Sequence, residues 1–317
     1  MKYKNCSIKY KDKKFDLKNQ FKISRGSKSS INTIEINIKK NGLIGRGECV
    51  PYERYGDNLK KIKNLLKQKK NLNNLKSLKI LSLSNAISNA YFDLNLKEKK
   101  ISFKKYLKKT RYKTAVTIPI FKKKKFIDEV KKYKNVKVLK IKLNEKNIFN
   151  YLDIIKKCSP KSKIIIDANE GWSISFLKKN EPKIKKYNIL FIEQPVKSGK
   201  DHLIKTSLHL CADESFHLNK QFEKIKKNYR WVNIKPDKFG SETNILKAIK
   251  FAKKNKLKIF LGCMVSSSLS IIPSLRFAKY SNLLDLDGAM FLIKDYEYGL
   301  TYKKDNLIYN KSFNYGY

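Results

Sequence analysis

The chain has 317 residues, more than one ordinary domain needs, and its 41% hydrophobic share is enough for a full core in either one large barrel or two domains. Its formal charge of +46 would suit a binder of polyanions, but only six of the 73 basic residues are arginine, the side chain that base readout and bidentate phosphate contacts favour, so specific nucleic-acid recognition is not expected. The apolar runs stop well short of the ~20 residues that cross a membrane, and the N-terminal MKYKNCSIKYKDKK has no signal-peptide core, which together predict a cytoplasmic protein with no membrane partner.

Residues 1–112 open with two or three alternating strands, KYKNCSIKY, KFDLKNQFKIS and NTIEINIKKN, followed by the turn-rich GLIGRGECVPYERYGD and by helices around 58–70 and 76–97. This reads as an α+β capping domain. From about residue 114 a different unit recurs: a short apolar run, a polar turn, then a lysine-rich amphipathic stretch. The apolar runs are TAVTIP (114–119), VLKIKL (138–143), KIIIDAN (163–169), ILFIEQP (189–195), LHLCADES (208–215), WVNIKP (231–236), KIFLGCM (258–264) and LLDLDG (283–288). Helices fit between them, as in KKKKFIDEVKKY, NIFNYLDIIKKC, SETNILKAIKFAKKN and SLSIIPSLRFAKY. Eight alternating units predict an α/β fold, a (β/α)8-type barrel over 113–288, with the tail 289–317 returning to the cap. The lysines, KKKK at 122–125 included, read as a solvated surface with weak incidental attraction for anions.

Barrel chemistry sits at the C-terminal ends of strands. The second run ends in Lys140 and Lys142, the third in Asp167 and Asn169, the fourth in Glu193, the fifth in Asp213 and Glu214, the sixth in Lys235 and the eighth in Asp285 and Asp287. A bare Lys-x-Lys carries no information, because random placement of the lysines gives about 14 of them. The concentration of acids does, since only 27 residues of the whole chain are acidic. Asp167, Glu193 and Asp213 would converge from three successive strands, and a hard divalent cation, Mg²⁺ by preference, relieves their repulsion. Five single cysteines without a CxxC pair and three histidines argue against a zinc site. The alternative is that each carboxylate pairs with one of the abundant lysines.

A side-chain period of two puts Val138, Lys140 and Lys142 on one face of their strand. The second and sixth strands of an eight-stranded barrel lie half a turn apart, so Lys142 and Lys235 should face each other across the mouth. One amine can remove a proton from a central carbon while the other returns a proton to the opposite face, which inverts the centre. Burial, Lys140 and the cation are each expected to depress the lysine pKa. The cation and Lys140 would stabilise the enediolate that forms next to a carboxylate.

With K140-x-K142, D167-A-N169, IE193QP, AD213ES and NIK235 in this order, the sequence resembles the enolase superfamily, in its muconate-lactonizing-enzyme-like subgroup, over nearly its whole length. The resemblance implies Mg²⁺ on Asp167, Glu193 and Asp213, acid-base chemistry at Lys142 and Lys235, enolate stabilisation by Lys140, and Asn169 and Glu214 as supporting residues behind them. SRGSKSS (24–30), GECVPYERYGD (47–57) and D285-L-D287-G are similar to the L-Ala-D/L-Glu dipeptide epimerases. That likeness implies a dipeptide substrate, its α-ammonium met by Asp285 and Asp287, and a second carboxylate clamped by Arg25 through its planar fork. Thr117, Cys263 and Met264 are further pocket candidates. Ser266 departs from the subgroup, where a glutamate is common at that place, which bears on dipeptide preference. A lyase or cycloisomerase of the muconate or o-succinylbenzoate type would use the same residues, and the sequence is compatible with a homo-oligomer.

Overall fold

The computed structural model describes residues 6–24, 26–68, 79–218 and 222–317. The first two predicted segments form one strand, β1 (Ser7–Ile23), antiparallel to β2 (Gly26–Lys40), which in turn pairs with β3 (Leu43–Cys49). The gap left between them at 11–13 is paired in register, Lys11 with Glu35, Asp12 with Ile34 and Lys13 with Thr33, and a register shift falls further on, between Asp16 and Phe21. Ile34, Ile36 and Ile38 alternate onto the inner face of β2 and are fully buried there. They share a core with Ile62 and Leu66 of α1 (Leu59–Gln68) and with Leu83, Ile87 and Leu94 of α2 (Leu81–Glu98). Sheet and helix meet closely: a Cβ on Gly47 would lie 2.1 Å from the Ala86 carbonyl oxygen, so only glycine fits this crossing. The expected helix start near 76 lies outside the described residues.

After α3 (Phe103–Leu107) and the short β4 (Arg111–Lys113) the chain enters the barrel. Its strands are β5 (Val116–Ile118), β6 (Val138–Lys142), β7 (Lys163–Asp167), β8 (Ile189–Glu193), β9 (Leu210–Ala212), β10 (Trp231–Ile234), β11 (Lys258–Gly262) and β12 (Leu283–Asp285). They are parallel and hydrogen-bonded in chain order. The ring closes where the Ala115 amide donates to the Leu284 carbonyl at 2.8 Å, one residue ahead of β5. All eight apolar runs are therefore strands of one barrel.

Helices α4 (Lys123–Lys132), α5 (Ile148–Cys158), α6 (Ile174–Ile184) and α7 (Glu242–Lys254) cover the outside. The stretch read as one helix over SLSIIPSLRFAKY is instead a single turn, α8 (Ser268–Ile271), continuing as a 3-10 helix over Ile272–Tyr280. Pro273 lacks the N–H an α-ladder needs there. Among the described residues, the links from β8 to β9 and from β9 to β10 carry only the 3-10 turns Asp201–Leu203 and Phe222–Lys224, so the barrel departs from strict strand–helix alternation.

Alternation along the strands sets up the site. Leu139, Ile141 and Leu143 point outward into the core shared with Phe126, Leu152 and Ile155. Ala115, Val138, Ile165, Phe191, Cys211, Trp231 and Phe260 point inward and fill the barrel with an apolar plug. Two residues further along the same faces come Thr117, Lys140, Asp167, Glu193, Asp213, Asn233 and Gly262. A polar layer thus rests on an apolar floor.

The tail forms β13 (Thr301–Lys303) and β14 (Asn306–Ile308), and β14 pairs with β4. Beyond it Tyr315 donates its hydroxyl to the Asn89 carbonyl at 2.8 Å and Gly316 its amide to Asp93 Oδ1 at 2.6 Å, so the last residues dock on α2, while Arg46 of β3 donates to the Asn314 carbonyl at 3.4 Å. Among the described residues no helix is long and apolar enough to cross a membrane.

Candidate active site

A cavity of about 670 Å³ opens above the polar layer, between the barrel rim and the cap. Of the sequence-predicted residues, Thr117, Lys140, Lys142, Asn169, Asp213, Glu214, Lys235, Cys263, Met264, Asp285 and Asp287 all line it. Asp167 and Glu193 lie just beneath, both fully buried. Asn169 and Glu214, expected behind the working groups, are on the cavity wall itself, with the Asn169 amide 3.5 Å from Glu214 Oε1. Arg25 lies outside the described residues. Ser266 is fully buried, donates to the Met264 carbonyl at 3.1 Å and is not part of the wall. Its neighbours explain the serine run: Ser267 donates backbone and side chain to Glu48 of the cap, and Ser268 donates both to Asp295.

The carboxylates are paired with lysines, but with those of the site rather than of the surface. Lys142 Nζ donates to Asp167 Oδ2 at 2.7 Å and to Asn169 Oδ1 at 3.1 Å. Lys235 Nζ donates to Asp213 Oδ2 at 2.7 Å. Lys140 Nζ sits among three acids, 2.7 Å from Asp285 Oδ2, 2.7 Å from Glu193 Oε2 and 3.2 Å from Asp167 Oδ2. Its contact with Glu193 is an ion pair without hydrogen-bond alignment, and Glu193 Oε2 makes no directed hydrogen bond. Among the described residues no three Asp, Glu, His or Cys side chains are grouped as a metal centre. The donor set nevertheless fits a hard cation. It is all oxygen, buried, and drawn from adjacent strands, and it already gathers positive charge between Asp167 and Glu193.

These pairings set the protonation states. Burial pushes Asp167 up, but Lys142 and Lys140 outweigh it and hold the carboxyl well below the usual range. Burial and the neighbouring Asp167 push Glu193 up to about 7. Burial and Asp285 likewise raise Asp287 to about 7, although it accepts the Thr117 amide at 2.6 Å. Burial depresses Lys235, as expected from the sequence, yet Asp213 and Glu193 more than compensate and leave it raised. The same balance, with Asp285 the largest carboxylate contribution, raises Lys140. At Lys235 the acidic partners thus outweigh the burial that was expected to depress it.

Several contributing residues escaped the sequence reading. Lys238, fully buried, donates to Asp213 Oδ1 at 2.5 Å, to the Asp213 carbonyl at 2.7 Å and to the Asn233 carbonyl at 3.0 Å. Gln194 Oε1 accepts the Asp213 and Ser215 amides at 3.1 and 2.9 Å and so fixes the turn after β9. From the cap, Phe21, Tyr52 and Tyr55 face the cavity, Tyr55 with its ring edge-to-face on His217 at 5.2 Å. Arg54 reaches across to Glu170, which also accepts the Ser198 amide at 2.8 Å. Period two from the apolar floor points to Asn233. Lys238 and the cap residues had no comparable signal.

A closed eight-stranded barrel with acids and amines converging on its C-terminal rim, beneath an α+β cap, defines a capped barrel of the enolase type. Residues 125–296 match the family model described as enolase C-terminal domain-like, and the chain belongs to that family within the enolase superfamily. It is 32% identical to a protein of a Pseudoalteromonas species named N-acetyl-D-glutamate racemase, over 85% of this chain and 90% of that protein. It is 28% identical to the L-Ala-D/L-Glu epimerase of Escherichia coli K12, over 95% of this chain and 99% of that protein. Among solved structures, an enolase family member from Agrobacterium tumefaciens, described as homologous to dipeptide epimerases and holding sodium and L-Ala-L-Glu, superposes with a TM-score of 0.89 at 27% identity, covering 98% of this chain and all of that one.

Proposed function

We propose that this chain is a Mg²⁺-dependent dipeptide epimerase of the L-Ala-D/L-Glu type, an isomerase that inverts the α-carbon of the C-terminal residue by 1,1-proton transfer between Lys142 and Lys235. One observation carries the reading: lysines ending β6 and following β10, four strands apart in a ring of eight, line one cavity with Asp213, and the ends of the three intervening strands bring Asp167, Glu193 and Asp213 between them. In this account residues 113–288 are the catalytic domain, and 1–112 with the tail are the cap.

One lysine, as the free amine, takes the α-proton from one face of the bound dipeptide, and the other, as ammonium, returns a proton to the opposite face. Lys140, buried among carboxylates, keeps its charge and sets it against the substrate carboxylate as the proton leaves. Asp167, Glu193 and Asp213 would hold Mg²⁺, which when bound supplies positive charge to that carboxylate and competes with the lysines for the same oxygens. The apolar plug beneath and the cap aromatics above exclude water from the reacting carbon. Asp285 and Asp287 receive the α-ammonium. The test is incubation of L-Ala-L-Glu with protein and Mg²⁺ in D₂O, followed by chiral separation and mass measurement. Inversion with deuterium incorporation is expected, and neither event across a dipeptide panel would refute the reading.

A second reading is an N-acylglutamate racemase. It is favoured by the partners that Asp285 and Asp287 already have, in Lys140 and the Thr117 amide, and by the racemase relative. Ala-Glu and N-acetylglutamate carry the same inverted centre and differ in the ammonium, so the ratio of their kcat/KM values separates the two.

A further inference from the structure

We propose that Asn233 is a positioning residue for the metal ligand Glu193, held in place by the missing side chain of Gly262, an inference that rests on the Mg²⁺ reading above. Asn233 is fully buried on β10 and donates Nδ2 to Glu193 Oε1 at 2.7 Å. Glu193 thereby has one oxygen fixed by a neutral donor, while its other oxygen is left without a directed hydrogen bond.

The arrangement carries a cost that packing alone does not explain. Asn233 Oδ1 is buried with no hydrogen-bond partner, and an apolar side chain of the same size would avoid that penalty. The amide cannot be turned round, because its oxygen would then face the carboxylate. Gly262, in the same inward layer on the neighbouring strand, makes the room: a Cβ there would stand 2.4 Å from Asn233 Oδ1. The same residue works on a second carboxylate, since its backbone carbonyl accepts from Lys238, which grips Asp213. One residue of β10 therefore orients two acids from β8 and β9, two positions before Lys235.

Outer residues that orient metal ligands typically change metal affinity by 10–100-fold when removed. N233L keeps the branched outline and loses the donor. G262A keeps the amide and displaces it. Calorimetric titration with Mg²⁺, with melting in EDTA as the folding control, should show both folded variants binding at least ~10-fold more weakly than the unaltered protein. The Mg²⁺ concentration for half-maximal epimerisation should rise in parallel, while KM for the dipeptide at saturating Mg²⁺ stays unchanged; a loss of packing alone would not produce that split. Affinity within twofold of the unaltered protein in whichever variant folds overturns the inference. If the unaltered protein itself takes up no Mg²⁺, the metal reading falls, and the inference with it.

Discussion

Replacing Lys142 or Lys235 singly by alanine should abolish inversion while leaving each variant able to exchange the α-proton of one antipode only. The barrel geometry sets this expectation. Eight strands about 4.8 Å apart and tilted about 36° close a ring roughly 15 Å across. Two lysines reaching inward by about 6 Å each from opposite walls leave a gap of a few ångström, which is one carbon wide. A single carbon between two amines has one proton-accepting neighbour on each face. Removing one amine takes away general acid-base assistance worth about 10²–10⁴-fold, or about 3–5 kcal/mol of barrel-mouth transition-state stabilisation, and inversion needs both. The assay is ¹H NMR of L-Ala-L-Glu and L-Ala-D-Glu in D₂O with each variant, read as loss of the α-proton signal against formation of the other diastereomer. The two variants should exchange opposite substrates. If either still inverts at more than about a hundredth of the unaltered rate, or both exchange the same antipode, the two-lysine account is wrong.

Three further outcomes follow from particular contacts. R54A removes the cap's hold on Glu170 and should raise KM for the dipeptide by up to about fivefold with little change in kcat, a partly exposed pair contributing about 1 kcal/mol; a fall in kcat at constant KM would contradict it. Burial raises the carboxyl of Glu48 from 4.5 to about 8, so its contribution to stability is complete below about pH 4.5 and is lost as pH rises to about 8. E48Q should flatten the stability curve across that window by on the order of 3–5 kcal/mol, and urea titrations at pH 5 and pH 9 showing the same pH dependence in both proteins would reject the assignment. G47A forces a Cβ to 2.1 Å from the Ala86 carbonyl oxygen and should destabilise the protein by about 2–3 kcal/mol in urea unfolding, whereas an unchanged midpoint would mean that β3 and α2 separate readily.

The barrel and most of its rim were legible in the sequence because each strand is a local pattern. Six of the eight short apolar runs ended in a charge, and a period of two sufficed to send Lys140 and Lys142 to one face. Where reading failed, the deciding interaction lay elsewhere in the chain. The polar residues 11–13, left out of both predicted strands, stay in β1 because they pair with Glu35, Ile34 and Thr33 of β2, and the segment after Ser268 leaves the α-ladder beyond Ile271, next to Pro273. The pKa values of Lys140 and Lys235 turned on which acids sat opposite: burial is the largest single influence on each, and the facing carboxylates together outweigh it.

By itself, then, the sequence determined the strand order, the apolar floor and the identity of the three acids and three lysines above it, since side-chain alternation is a property of the backbone. Tertiary structure alone decided which acid each lysine meets, that Asn233 and Lys238 grip Glu193 and Asp213, and that Arg54 and Glu48 fasten the cap to the barrel. Those contacts join residues as far as 219 positions apart, and no periodicity along a chain encodes the distance between two of its strands once the ring has closed.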